Sequence, residues 1–484
     1  MLKTLEIDGF YDKGNDIYLD LSENLTILTG DNGAGKTTLL NIIFNILNGD
    51  FVTVNKTRFE RILLTFNVED IIANKKNSTQ IVTSIEITKI GEGLKIRYFL
   101  KKGSFVIHLR KVNLPFADYT YDLIYPESSE GEEVNNFYQK INTNLSDLIR
   151  QHDELEFINL LKKNVIYFPT YRRIESDIIH LLEQNYPLSD ELEVDLYQLN
   201  RTLNNFPHDR RVVGVNDNDI DHLFKNYSEK IRKLNSEGLN SVLKSFIEEL
   251  IVSTYKNAGH RERKNNPPSD LYDKAPEQLI ELSKQLGISN IKENEIKEYF
   301  KKQKEVAEAS EGISVSLSIK GSKNETMVLP EVVLSSLLSI GENNNLIMTL
   351  INLYDQHMKR VNKELEAFEY LKKSFNSFFK GKISLDLNNY NIQLSRPFKH
   401  LSTGEKQLIT ILSYAALSLN RENYKPLIII DEPELSLHIS WQMKLLDTLL
   451  ELPNINILLA THSPYIANSD YEDYIWQIGE IDEY

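Results

Sequence analysis

The sequence predicts an α/β fold in which a mixed sheet with a separate antiparallel subdomain is split by a helical insertion carrying a short coiled coil. Three observations carry that expectation. A glycine-rich run near the start sits between a strand-like stretch and a helix-like one. Two short apolar runs near the other end each deliver polar residues at their last position, as buried parallel strands do at a ligand crevice. Between them lies a long polar stretch whose one clear pattern is a heptad seam.

In chain order, Leu5, Ile7 and Phe10, then Ile17, Leu19 and Leu21, alternate as strands. Leu25 to Thr29 follows as an apolar strand, then Gly30-Asp31-Asn32-Gly33-Ala34-Gly35-Lys36-Thr37-Thr38, then a helical stretch from Leu39 to Leu47. Strand, Gly-x4-Gly-Lys-Thr and helix in that order make a phosphate-binding loop. Its glycines let successive backbone N–H groups turn toward a β-phosphate, and the helix adds the positive end of its dipole. Lys36 is placed to reach the β- and γ-oxygens, and the Thr37 hydroxyl to ligate Mg2+. A nucleoside triphosphate and Mg2+ are the ligands this loop calls for.

Gln80 to Val112 reads as an antiparallel meander with turns at Gly91-Glu92-Gly93 and Lys101-Lys102-Gly103. Pro126 to Glu133 is an acidic surface loop. Val165 to Pro169 is a strand ending in proline, followed by Thr170-Tyr171-Arg172-Arg173. Arg172 and Arg173 read either as surface ion pairs or as contacts to phosphate, DNA or a partner.

From about residue 176 to 380 the chain is helical and polar. Ile347, Ile351, Tyr354, Met358, Val361, Leu365 and Phe368 form a heptad seam, continued at Leu371, Phe375 and Phe378 after one three-residue step. At about 1.5 Å per residue this predicts an arm of about 50 Å. Leu234, Leu239, Val242, Leu243, Phe246, Ile247 and Leu250 are the best candidates for its antiparallel mate, and His357 reads as a helix-surface residue. Gly259 to Pro268 reads as a basic loop, either solvated or contacting a nucleic acid or a partner.

Ile383 to Leu387 and Asn391 to Leu394 read as a hairpin, after which Leu401-Ser402-Thr403-Gly404-Glu405-Lys406-Gln407-Leu408 opens a helix with a capping box, Ser402 to Glu405. Leu427 to Ile430 is a buried strand ending in Asp431 and Glu432 and stopped by Pro433, and Ile455 to Ala460 delivers Thr461-His462-Ser463-Pro464. Phosphoryl transfer to water needs neutralised γ-oxygens and an aligned water. Asp431 is placed to serve the metal with Thr37, and Glu432 to polarise the water.

Together the four motifs resemble the ATPase head of the ABC class, in the soluble branch with SMC and RecF proteins, over about the first 175 and last 100 residues. Leu401 to Glu405 resembles the Leu-Ser-Gly-Gly-Gln signature. Asp431-Glu432-Pro433-Glu434-Leu435-Ser436-Leu437-His438 with Thr461 to Pro464 resembles the OLD-like subgroup. The resemblance implies an ABC-type head with lobe one at 1–175, a helical insertion at 176–380 and lobe two at 381–484. It implies nucleotide binding by Gly30, Asn32, Gly33, Ala34, Gly35, Lys36, Thr37 and Thr38, and catalysis by Lys36, Glu432 and His462, with His462 sensing the γ-phosphate. Ser402, Thr403, Gly404 and Glu405 would act in trans on a second subunit's ATP, so a homodimer or higher homo-oligomer is implied. The family's Q-loop glutamine has no counterpart after Pro169.

Composition narrows the function classes. Lys plus Arg total 55 against 70 for Asp plus Glu, a net charge of −15, which disfavours broad adhesion to DNA or anionic membrane. The sequence contains no cysteine, which excludes disulfides and thiolate metal sites. No stretch approaches the roughly 20 apolar residues of a membrane span, and a cytoplasmic ATPase without membrane contact is expected. OLD-like proteins carry a Toprim nuclease after the head, whereas only a short stretch follows His462. The expectation is therefore an ATPase subunit of an anti-phage system such as PARIS or Septu, with a separately encoded nuclease, Toprim-type ahead of HNH, and a phage protein as a trigger. The alternative is a RecF-like repair ATPase that binds DNA directly.

Overall fold

The computed structural model describes residues 2–11, 15–67, 81–114, 117–124, 142, 144–170, 213, 217–256, 269–285, 293–311, 331–418 and 425–479. The chain divides into two compact units, Met1–Phe224 with Tyr370–Asp386 and Gln393–Tyr484, and Lys225–Glu369 with Leu387–Ile392.

The first unit begins with β1 (Leu2–Asp8), β2 (Ile17–Asp20), β3 (Leu25–Thr29), α1 (Lys36–Asn48) and α2 (Phe51–Lys56). The sequence alternation then yields β4 (Arg61–Phe66), β5 (Val82–Ile90), β6 (Gly93–Leu100), β7 (Ser104–Leu114) and β8 (Ala117–Ile124). The expected meander is present and extends by one strand, closing a seven-stranded antiparallel sheet in the order β2-β1-β4-β5-β6-β7-β8. Helices α3 (Leu145–Gln151) and α4 (Glu156–Lys162) lead into β9 (Val165–Phe168).

The second unit is helical. It contains most of α5 (Asp217–Lys256), then α6 (Ser269–Gln285), α7 (Glu293–Glu311) and the greater part of α8 (Glu331–Phe379). Tyr227 donates to the Glu364 carbonyl, Asn235 meets His357 at 3.1 Å, and Leu239 clusters with Tyr354, so α5 runs antiparallel to α8. The mate is thus the predicted segment, with Leu239 and Val242 buried. Ile247 and Leu250 lie outside the described side chains. Two expectations are corrected. Helix α8 has 49 residues, about 70 Å at 1.5 Å per residue, longer than the 50 Å arm read from the seam. His357 is buried, at 5% exposure, and faces inward three residues after Tyr354, while Met358 keeps its predicted seam place against the Leu239–Tyr354 cluster.

Strands β10 (Leu385–Asn388) and β11 (Asn391–Leu394) form the predicted hairpin, with Asn389 and Tyr390 at φ 50° and 57°, as a two-residue type I′ turn demands. The first unit then continues with α9 (Thr403–Leu417), β12 (Leu427–Asp431), α10 (Ile439–Leu450), β13 (Asn456–Ala460) and β14 (Ile475–Gln477). Its second sheet is parallel throughout, in the order β14-β3-β13-β12-β9. Every residue of β9, β12 and β13 is buried, which explains their near-continuous apolar runs. Leu40, Ile43 and Leu47 of α1 share one core with Leu5, Ile62 and Ile85 of the antiparallel sheet and Ile429 and Leu458 of the parallel one. Truncating Leu40 to alanine in such a core costs about 2–5 kcal/mol. That core fixes α1, and with it the glycine loop, against both sheets.

Arg172, Arg173, the acidic run 126–133 and the basic run 259–268 lie outside the described residues. No described helix is long and apolar enough to cross a membrane.

Candidate functional site

The loop between β3 and α1 sits at the C-terminal edge of the parallel sheet, where ligands bind in open α/β sheets. Gly30 has φ 134°, and a Cβ there would lie 2.2 Å from the Ile478 carbonyl oxygen. Gly35 has φ 96° and caps α1, which carries no acidic residue of its own in its first turn. Asp31, Asn32 and Gly33 face solvent.

Lys36, 5% exposed, donates from Nζ to the Gly30 carbonyl at 2.9 Å and the Asp31 carbonyl at 3.0 Å. Burial lowers its pKa, while Glu432, Asp431, Asp31 and Glu434 pull the other way. A cation bonded to carbonyls, with no direct counter-ion among the described residues, is suited to receive an anionic phosphate.

Asp431, at the end of β12, is 1% exposed. Thr37 donates to its Oδ1 at 3.1 Å and Thr170 to its Oδ2 at 2.8 Å. Glu432 then adopts a left-handed backbone at φ 47°, a conformation costing a non-glycine residue about 1–2 kcal/mol. Its N–H donates to the Ala460 carbonyl at 2.9 Å. The turn takes the chain sharply off β12 into Pro433 and leaves Glu432 Oε1 3.9 Å from His462 Nε2. His462 is exposed, and its backbone N–H donates to Glu434 Oε1 at 2.7 Å. Buried Gln442 donates to the Glu434 and Leu437 carbonyls and accepts from Ser463 at 2.6 Å, joining the loop after β12 to the segment after β13.

The predicted capping box at α9 is present. Ser402 and Glu405 bond reciprocally, and the Ser402 cap is exposed. Gly404 lies so close to the loop after Pro433 that a Cβ there would be 2.3 Å from the Ser436 carbonyl oxygen.

The structure therefore brings Lys36, Thr37, Asp431, Glu432 and His462 into one site. Thr37 and Asp431 offer the hydroxyl and carboxylate oxygens that suit Mg2+, which binds through one or two carboxylates plus substrate phosphates. No group of three or more His, Asp or Glu side chains that could hold a metal occurs among the described residues, so an all-protein metal cage is not what this site offers. Three residues passed unnoticed in the sequence. Thr170 carries no motif, Glu434 sat inside the Asp-Glu-Pro-Glu run without an assigned role, and Tyr11 bonds Thr38 at 2.9 Å while 46% exposed beside the loop.

Fold and site together define a phosphate-loop ATPase. The chain belongs to the AAA ATPase domain family, whose profile matches residues 1–467. Among solved structures it is similar to the Smc head domain with an extended coiled coil bound to the C-terminal domain of ScpA, from Pyrococcus furiosus, at 14% identity and TM-score 0.34, covering 96% of this chain and 90% of that one. The Pyrococcus yayanosii Smc head domain with a coiled coil and joint matches at 15% identity and TM-score 0.32, covering 96% and 93%. An Smc head bound to the C-winged helix domain of ScpA matches at 12% identity and TM-score 0.35, covering 96% and 90%. No curated protein matches the chain.

Proposed function

We propose that this chain is an ATP-operated switch of the ABC class whose heads engage in pairs around ATP and Mg2+ and thereby control a separately encoded nuclease in a cytoplasmic anti-phage system. The observation that carries the reading is the convergence of Thr37, Asp431, Glu432 and His462 beside Lys36, in the same unit as an exposed Ser402 cap. In this reading Thr37 and Asp431 would hold the metal, which would supply positive charge at the γ-phosphate alongside Lys36, Glu432 would polarise the water, and His462 would contact the γ-phosphate. Ser402 and the Gly404 N–H complete the site of a second copy, with Thr403 and Glu405 shaping that surface.

A nuclease in trans, Toprim-type ahead of HNH, fits a chain whose described residues hold no acidic metal cluster of their own. The partner responds to ATP only if it binds engaged and open heads with different free energies, and a phage protein is the trigger that shifts that balance. The test is a Glu432→Gln chain, which should bind ATP, stall hydrolysis and accumulate crosslinkable dimers. Co-expression with the neighbouring open reading frame should then recover a nuclease in pull-downs and give phage resistance only when both genes are present. Resistance from this chain alone, or hydrolysis stimulated by DNA alone with steep salt dependence, overturns the effector reading in favour of direct DNA action.

A further inference from the structure

The strand β9 lies next to β12 in parallel, with Phe168 beside Ile430. Two residues further on, past Pro169, Thr170 arrives beside the carboxylate at the end of β12. Its side chain is as hidden as the one it serves, Thr170 being 7% exposed and Asp431 1%. The Thr170 hydroxyl donates to Oδ2 at 2.8 Å, and the Thr37 hydroxyl donates to Oδ1 at 3.1 Å.

One donor leaves a carboxylate free to swing about its terminal torsion, which is broad and roughly two-fold. A second donor on the other oxygen removes that freedom. The two are not equivalent, because Thr37 belongs to the phosphate loop and must rearrange when nucleotide and metal arrive. Thr170 hangs from a sheet strand whose four residues are all buried. It is the fixed member of the pair.

From this geometry we infer that Thr170 is a positioning residue for the magnesium site, holding Asp431 Oδ2 so that Oδ1 faces the cation beside Thr37. This rests on the reading of Thr37 and Asp431 as the residues that hold Mg2+. Threonine does here, through the carboxylate, what a direct ligand from the same strand end would do by touching the metal. Outer partners of metal ligands typically contribute roughly 10- to 100-fold in metal affinity.

The experiment is equilibrium binding of a fluorescent ATP analogue, titrated with Mg2+ from a chelated start. Thr170→Val removes the hydroxyl and keeps the shape. It should bind the analogue without metal as the unaltered chain does, need roughly 10-fold or more Mg2+ for half-saturation, and recover in Thr170→Ser. Melting temperature is recorded for each variant, and Thr170→Ala gives the same comparison if the valine variant does not fold. Asp431→Asn should lose the Mg2+-dependent tightening, and adding Thr170→Val to it should change nothing more. An unchanged Mg2+ midpoint in Thr170→Val, with Asp431→Asn impaired, overturns the role of Thr170 alone. An unchanged midpoint in Asp431→Asn overturns the metal-site reading beneath it.

Discussion

Glu434 Oε1 accepts the backbone N–H of His462 at 2.7 Å, tying the loop that leaves β12 to the segment that leaves β13. A carboxylate is thus used to hold a histidine by its main chain, leaving the imidazole free to face solvent and Glu432. Glu434→Ala should slow ATP turnover by roughly tenfold or more, since a hydrogen bond to a charged group contributes about 1.5–3 kcal/mol. Glu434→Gln, which keeps a carbonyl acceptor, should retain most of it. Phosphate release at saturating ATP, with ATP affinity measured separately, checks both.

Lys36 lays its side chain across the loop, bonded to the carbonyls of Gly30 and Asp31. Its removal leaves Asp431, Glu432 and Glu434 facing an incoming triphosphate without that charge. Lys36→Ala should lower turnover about 100-fold or more. A variant that keeps over about a tenth of the activity contradicts the assignment.

Ser402 is engaged with Glu405 at 2.8 Å within its own chain, so Ser402→Arg removes a helix cap as well as altering the exposed surface. Cap loss typically costs about 1 kcal/mol, too little to unfold the unit. Mixing Ser402→Arg with Lys36→Ala chains should restore part of the turnover, because in a shared-site pair one site carries both lesions and the other none. Full activity of Ser402→Arg by itself rules out sharing.

Gly238 on α5 would place a Cβ 2.1 Å from the His357 ring of α8. Gly238→Ala should therefore destabilise the helical unit by about 1–3 kcal/mol, and His357→Ala added to it should relieve the clash. Burial, then Arg360, lowers the His357 pKa from 6.5. A depressed folded-state pKa means that the unfolded chain takes up the proton first. Stability of this unit is full above about 6.5 and falls as pH drops below it, a loss that His357→Ala should abolish; amide hydrogen exchange at pH 5.5 and 7.5 reads it.

The nucleotide loop and the Asp-Glu strand end were legible because each requires a particular residue at a strand terminus, where apolar runs are easy to delimit. Parallel order in the sheet was legible only in outline, since nothing local in Ile475-Trp476-Gln477 announces a strand that pairs with β3. Thr170 could not be read, because a threonine after a proline-ended strand has many uses and its partner is 261 residues away. His357 was misread for a different reason. A strict heptad assigns the seam to Met358, which does pack there, but the preceding residue lies three positions after Tyr354 and faces inward as well. Gly238, a glycine inside a long helix, was the available sign that something large lies opposite.

β3 has no neighbour from its own end of the chain in the parallel sheet, being flanked by β13 and β14, and 447 residues separate Thr29 from Trp476. At about 5–20 residues per second the phosphate loop leaves the ribosome roughly 20 to 90 seconds before the strands that brace it exist. A partly made chain therefore carries Lys36 without Asp431, Glu432 or His462, and cannot turn over ATP. Assembly of the site is thus the last act of folding in this unit, since the loop that would hold phosphate waits for the strands that carry its carboxylates and histidine.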